Sequence, residues 1–311
     1  MLKKIVFLLL SCITYLSFSQ GCSDAGFCSM GAMQPDQIFS KKKEIKLRLI
    51  GLSQYVGTTM LSPVISVTTL DASLSIKHKN IFQVKVPFQA IYGSLANNAG
   101  IGDISLSMSR ALFSNKKITF NVSLGAKIPT NDGNTKENNV PLHSYYQTSL
   151  GTYDLIFGGS LISKKWLVAV GYQQAMNSNK NYFQWSDWFP ISDKSDAYIR
   201  EYSVGRNLKR GTDIMLRVER NFRYSNFNFF AAALPIFRVT KDEVFIPASN
   251  ERVKLDGSTG MALTGLVGGT YQFNVNSSVK VIFGRKITQR RVNSDGLTRM
   301  FVTSLSYYFH F

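Results

Sequence analysis

Three histidines are all that this 311-residue chain offers for proton transfer near neutral pH: His78, His143 and His310. A hydrolase needs a nucleophile or a polarised water with a base at hydrogen-bond reach. His78 falls at a short turn and His310 stands next to the last residue. His143 is the one histidine in a long polar segment, and Asp132 of the same segment is its candidate acidic partner. No serine-centred motif accompanies the pair, so an ordinary loop histidine is the expectation. Asp187, Asp193 and Asp196 could in principle supply the acid pair of a histidine-free protease, but a solvated loop explains them more simply. GLVGG and FGGS carry no phosphate-loop lysine and open no helix. NDGN at Asn131–Asn134 lacks the twelve-residue calcium-loop pattern. The chain is therefore expected not to be an enzyme and to use no cofactor and no metal.

Most of the chain that would have to position such groups alternates with period two, which is the signature of strands with unlike surroundings on their two faces. KEIKLRLIGLSQY places Ile45, Leu47 and Leu49 on one face and Lys46 and Arg48 on the other. TTLDASLSIKHK sets Leu70, Ala72, Leu74 and Ile76 against Asp71, Ser73, Ser75 and Lys77. GDISLSMSRAL and KITFNVSLGAKI repeat the pattern, and TDIMLRVERNFR sets Ile214, Leu216 and Val218 against Met215, Arg217 and Glu219. The last residues, MFVTSLSYYFHF, divide into Phe301, Thr303, Leu305, Tyr307, Phe309 and Phe311 on one face and a mixed row on the other.

The predicted strands run 10 to 13 residues, against five or six in ordinary globular sheets. Short turns alternate with long polar connections at Thr130–Gln147, Asn177–Ser195, Thr240–Gly257 and Arg290–Gly296. A soluble sandwich also alternates, but long strands, unequal connections and polar rows rich in Lys, Arg, Asp and Ser favour a transmembrane antiparallel β-barrel, apolar outside and polar within. In lipid every backbone donor and acceptor must pair, so such a sheet closes. The segments number thirteen when DAYIREYSVGRNL is included, whereas bacterial barrels have even counts. Merging within Tyr198–Val239, where LKRG and YSN both read as turns, predicts about 12 strands; splitting between Gly57 and Val67 gives 14 as the alternative. Tyr55, Phe82, Tyr92, Trp166, Phe229, Tyr271 and Tyr307 are expected in the interfacial girdles.

The front end, MLKKIVFLLLSCITYLSFSQ, reads as a secretory signal peptide over residues 1–19, with Lys3 and Lys4 ahead of a short apolar stretch. Residues 20–42 are expected to be a periplasmic lead-in and 43–311 the barrel. Cys22 and Cys28 remain after cleavage and could form a local disulfide; lipidation of Cys22 is the alternative. The formal charge is +17, or +15 without Lys3 and Lys4. Export and the scatter of the basic residues argue against nucleic acid as partner and for anionic lipid or anionic solutes.

The closing Phe311, with Phe309, Tyr307, Leu305 and Phe301 before it, resembles the C-terminal signature of outer-membrane β-barrels, which implies recognition by the barrel-assembly machinery. The Gln-starting mature end and GCSDAGFC resemble barrels of Bacteroidota-type bacteria. GIGDISLSMS and SLGTYDLIFGGS are similar to segments of the phenol- and hydrocarbon-degradation transporter barrels, loosely related in plan to fatty-acid channels. That resemblance implies passive uptake of small hydrophobic or aromatic solutes, although no clear helical plug is evident beyond residues 20–41. The lumen is expected to include Lys46, Arg48, Lys77, Lys85, Asp154, Arg217, Glu219 and Lys280, a basic set that favours anions. The two cues agree only for an amphipathic acid. The alternatives are a structural or surface-binding barrel whose charges pair and fill the lumen and, more remotely, a barrel hydrolase. Trp185, Trp188 and Phe189 mark a loop that either binds a partner outside or folds inward as a lid.

Overall fold

The computed structural model describes residues 45–76 and 80–311. The predicted signal segment, the lead-in, Cys22, Cys28, Lys77 and His78 lie outside those residues. The remainder is an antiparallel β-barrel of twelve strands. In chain order the wall is β1 (Lys46–Thr58), β2 (Val64–Ile76), β3 (Asn80–Tyr92), β4 (Asn97–Ile101) continued by β5 (Ile104–Ser114), β6 (Ile118–Ile128), β9 (Asp154–Ser163), β10 (Trp166–Ala175), β11 (Asp213–Tyr224), β12 (Phe227–Arg238), β15 (Gly260–Gln272), β16 (Ser277–Lys286) and β17 (Phe301–His310). The short pairs β7 (Lys136–Glu137) with β8 (Val140–Pro141) and β13 (Glu243–Ile246) with β14 (Glu251–Lys254) belong to loops. The ladder closes where β1 pairs β17 from Leu49↔His310 to Thr58↔Phe301. β4 and β5 act as one interrupted strand: both pair with β3, and the break falls where the Gly102 N–H donates to the Pro87 carbonyl at 2.8 Å.

Turn chemistry sets which end is which. At one rim the connections are tight. Asn115 accepts from the amides of Lys117 and Ile118 at 2.8 Å, and Ser163 Oγ accepts from the Trp166 N–H at 3.0 Å. Ser225 takes a left-handed φ of 46° between β11 and β12. At the other rim stand the long loops. A ten-residue strand tilted about 40° rises roughly 26 Å, enough for the apolar band of an outer-membrane barrel.

The outward row is apolar and exposed around the whole wall. Leu52, Leu70, Leu124, Leu161, Val170, Val267, Phe283 and Leu305 are among its members. A surface of that extent is intolerable in water and is what a lipid environment requires. Phe301, Leu305, Tyr307 and Phe309 lie on it, and Phe311 follows, exposed, against Phe309. Trp166, Phe229, Tyr271 and Tyr307 stand toward the tight-turn rim, where Arg220 lies 4.8 Å over the Trp166 ring. The amide of Gln54, also facing out, is satisfied within the wall by Ser66 (2.8 Å) and Thr68 (2.6 Å).

Three sequence expectations are corrected. DAYIREYSVGRNL is not a strand. The loop that contains it carries two short helices, α1 (Trp185–Trp188) and α2 (Asp196–Arg200). Ser195 caps α2 by accepting from the Tyr198 N–H at 3.3 Å, and Ile199 and Tyr202 bury on one helical face. The LKRG turn is part of the same loop, bridged through Lys209 and Glu243. That removal, not a merger of strands, leaves twelve. The apolar row Ile45, Leu47, Leu49 is interrupted: the register shifts between Leu47 and Leu49, so Leu49 stands opposite the inward Ser73 and the lipid row resumes at Ile50 and Leu52. Arg48, at that bulge, is therefore no continuation of a lumen row. Tyr55 is no girdle residue, because it points inward and is buried.

Val170 occupies the middle of β10 on the exposed apolar face. Val170→Arg is expected to destabilise the inserted barrel by about 2–4 kcal/mol, read by denaturant unfolding in lipid vesicles. The lumen-facing neighbour change Ala169→Ser should cost well under that.

Candidate lumen and loop cap

The inward rows divide the lumen into two unlike walls. From β2 to β6 the inward side chains are chiefly polar and small, among them Asp71, Ser73, Gln83, Ser107, Ser109, Asn121 and Ser123, all buried, with apolar Ile81 and Ala111 toward the tight-turn rim and Ile65, Val67 and Ile91 toward the long-loop rim. From β9 to β15 they are mostly apolar: Ile156, Leu167, Ala169, Met215, Phe230, Leu234 and Leu266 form one contiguous cluster, with Ile282 of β16 packed against it. Alternation fixes only that a residue faces inward; which wall it joins follows from closure of the barrel. Twelve strands spaced by about 4.8 Å and tilted about 40° give a backbone diameter of roughly 24 Å, so side chains from both walls reach well into the interior.

Of the predicted lumen charges, Lys85, Asp154, Arg217 and Glu219 meet a partner. Lys85 stands 3.3 Å from Asp71, whose two carboxylate oxygens each accept from the Gln83 amide at 2.8 Å. Glu219, fully buried, accepts from the Arg217 guanidinium and from Asn221 Nδ2 (3.0 Å). Asp154 accepts from Arg210, Gln173 and the Thr152 hydroxyl. Lys280 is buried, and the contact it makes is with the Phe230 ring, 5.4 Å away. Lys46 stands opposite the inward Ser75 but is exposed at the tight-turn rim.

Toward the long-loop rim a layer of buried ion pairs ties the loops to the wall. Arg238 of β12 makes a bidentate contact with Asp213 of β11 (2.8 and 2.6 Å), and also holds Asp242 (2.8 Å) and Asp295 (2.9 Å) from two different loops. Asp295 accepts in addition from Arg290 (3.4 Å) and the Leu297 amide (3.2 Å). Burial alone would raise the Asp295 carboxyl; Arg238, Arg290 and Arg210 outweigh it and hold the carboxyl below its usual range. Burial does raise Asp242, with Arg238 opposing. Lys127 and Asp103 (3.3 Å) form a separate pair, with the Ser149 hydroxyl donating to the same carboxylate at 2.5 Å. Sequence reasoning missed Arg210, Arg238, Asp242 and Asp295 because, apart from the neighbouring Arg238–Asp242 contact, they meet across segments distant in the chain.

Above this layer the two longest loops pack inward. The 3₁₀ helix Ser144–Tyr146, α1 and α2 place Tyr145, Tyr146, Phe183, Trp188, Ile199 and Tyr202 in one buried cluster with Tyr55, Ile65, Val67, Ile91 and Val302 of the wall. Trp188 Nε1 donates to the Pro141 carbonyl and Trp185 Nε1 to the Tyr202 carbonyl, both at 2.8 Å. Arg200 lies 4.9 Å over Phe189. The aromatic loop of Trp185, Trp188 and Phe189 is thus folded onto the barrel mouth.

His143 is completely buried at the centre of this cap. Its Nε2 bonds the Ser203 carbonyl at 2.9 Å, so that nitrogen carries the proton, and its Nδ1 accepts from the Tyr145 N–H at 3.2 Å. Rings of Tyr145, Phe183 and Tyr202 surround it at 5.0–5.3 Å. Both nitrogens are occupied by backbone groups, so His143 joins two loops and has no free nitrogen to act as a base. The Asp132 carboxylate accepts from the Asn134 amide at 3.2 Å. Among the described residues no group of three His, Cys, Asp or Glu could hold a metal. Burial lowers the His143 pKa to about 4, with the Ser203 hydrogen bond and Asp295 opposing, and burial pushes the Tyr145 phenol up to about 12.

Removing one partner of a buried ion cluster is costly. Arg238→Ala, which strands three carboxylates, is expected to lower stability by about 3–5 kcal/mol, read as a lower temperature of the folded-to-unfolded gel shift. For His143 the folded pKa lies below the ordinary 6.5. The open cap then binds the extra proton first, and closure weakens as pH falls from 6.5 toward 4. By pH 5 roughly 2 kcal/mol of cap closure is lost. Limited proteolysis of the loops should accelerate over that range in the native protein and stay flat in His143→Gln.

No protein-family model matches the sequence, and a search of curated proteins finds no match. Solved structures do match by shape. An outer membrane channel from Pseudomonas putida F1 superposes with TM-score 0.57 at 10% identity, covering 89% of this chain and 99% of that one. The NanC porin gives 0.46 at 10% identity, covering 85% and 99%. The CymD monoaromatic hydrocarbon channel gives 0.43 at 12% identity, covering 94% and 98%. At such identities the likeness is one of fold alone, and the outer membrane channel with TM-score 0.57 shares the barrel architecture.

Proposed function

We propose that the mature chain is exported by its residue 1–19 signal, resides in the outer membrane and passes small hydrophobic or amphipathic anionic solutes through its lumen by passive uptake. The observation that carries this reading is the two-walled lumen. One wall carries the contiguous apolar cluster from Ile156 to Leu266, interrupted by the Arg217–Glu219 pair, and the wall across from it carries chiefly hydroxyls and amides with the Lys85–Asp71 pair. A barrel filled purely for stability has no need to segregate its interior in this way. A solute with one apolar and one polar side would meet both walls at once. The net formal charge of +15 without Lys3 and Lys4 favours the anionic member of that class.

The cap makes the path a gated one in this reading. The inward side chains are buried, and the loops bearing Trp185, Trp188 and Phe189 pack over the mouth. Passage therefore requires those loops to move, and the wide, steady conductance of a general porin is not expected.

The test is flux into proteoliposomes, with planar-bilayer conductance alongside. The native protein should admit small aromatic acids at a rate well above protein-free vesicles while showing brief, small openings. Trp185→Ala combined with Trp188→Ala removes two indole anchors and should raise both flux and open probability severalfold. Unchanged impermeability in this variant, with the barrel still heat-modifiable, would overturn the channel and leave the filled structural barrel.

A further inference from the structure

Within the membrane wall one cation is unlike the rest. Lys280 projects inward from β16, four residues from the tight turn at 273–276, and is 8% exposed. Among the described residues no carboxylate lies within ion-pair distance of it, and no hydrogen bond satisfies its ammonium; its contact is the Phe230 ring at 5.4 Å. Arg217 stands over the same ring at 6.0 Å, but Glu219 neutralises that guanidinium. Beside Lys280, as its partner across the β15–β16 ladder, stands Thr270, whose hydroxyl is buried without a hydrogen bond. The next residue in the same row, Asn228, leaves its side-chain oxygen unpaired.

A buried ammonium without a counter-charge is costly, and proteins pair such groups or reserve them for a ligand. The surroundings say what ligand. Phe230 lies flat enough over Gly268 that a Cβ there would come within 2.6 Å of the ring, so the backbone is opened to seat it. Leu266 and Ile282, on the same inward face, continue the apolar surface away from Lys280 toward the long-loop rim. One positive point, one hydroxyl donor and an adjoining apolar strip suit a carboxylate carrying a compact apolar or aromatic body. A dianionic phosphate would ask for more donors than these.

We propose that Lys280 and Thr270 form a carboxylate-binding site in the tight-turn half of the lumen, occupied by a small amphipathic acid whose apolar part lies on Phe230, Leu266 and Ile282. This rests on the reading of the barrel as a solute channel. The carboxylate would complete the ammonium and the Thr270 hydroxyl together, and the apolar wall would exclude competing water. The site holds a solute that has passed the cap and sets a preference for acids over neutral molecules of the same shape.

The experiment uses benzoate and its neutral isostere benzamide, titrated calorimetrically against the refolded barrel at low salt. Native protein should bind benzoate at least about tenfold more tightly than benzamide, the effect of one hydrogen-bonded charge. Lys280→Met should abolish the difference, Lys280→Arg should retain most of it, and Thr270→Val should reduce it severalfold; each variant is checked for the heat-modifiable folded form. Equal binding of the two probes by native protein, or undiminished benzoate preference in Lys280→Met, overturns the site. Benzamide flux into proteoliposomes separates this from the channel itself. Flux without benzoate preference leaves the channel and removes the site, whereas preference without flux of either probe leaves the site and removes the channel.

Discussion

Every backbone amide and carbonyl in the wall of this protein must find its partner inside the wall, because lipid offers none. That single constraint forces the ladder to close between β1 and β17. Closure sets the curvature at which inward side chains converge. It permits an irregularity such as the Leu47/Leu49 shift only where neighbouring strands can still pair. The same constraint explains why the polar groups that do face lipid, such as the Gln54 amide, are satisfied by Ser66 and Thr68 on the adjacent strand.

The interior is governed by the opposite rule. Charged groups are costly there unless they are paired, because the convergent walls leave little room for bulk water. Asp71 with Lys85, Glu219 with Arg217, and Asp154 with Arg210 meet that rule by pairing. Lys280 does not, and its position on the apolar side of a segregated lumen gives the exception chemical meaning. A charge that paired with its neighbours would merely fill space; one left over beside an apolar strip is what the proposed carboxylate site rests on.

The long-loop end combines both rules in one layer. Arg238 draws carboxylates from its neighbouring strand and from two loops into a single buried cluster, and the aromatic cap rests above it. His143 hydrogen-bonds no carboxylate; it joins two loops through the Ser203 carbonyl, and the Tyr145 amide of its own loop holds the other ring nitrogen. The cap is thereby held by many modest contacts and one charged clamp, an arrangement that can open in part without the wall unfolding.

Period-two alternation, long strands and the unequal connections were enough to specify a closed transmembrane barrel, because side-chain direction along a strand is a local property with no alternative in lipid. The inward facing of Asp71, Lys85, Arg217, Glu219 and Lys280 was legible for the same reason. The strand count was only partly legible. DAYIREYSVGRNL alternates convincingly, yet Ser195 as a cap and the spacing of Ile199 and Tyr202 belong to a helix, and burial against Tyr146 and Phe183 decided between them. The face occupied by Leu49 and the inward turn of Tyr55 depended on a bulge and on the loop cluster. What only the tertiary structure decided was pairing: which carboxylates surround Arg238, which wall is apolar, and which lysine has no counter-charge. Those relations join residues far apart in the chain, and a closed sheet with infolded loops is what brings them within reach.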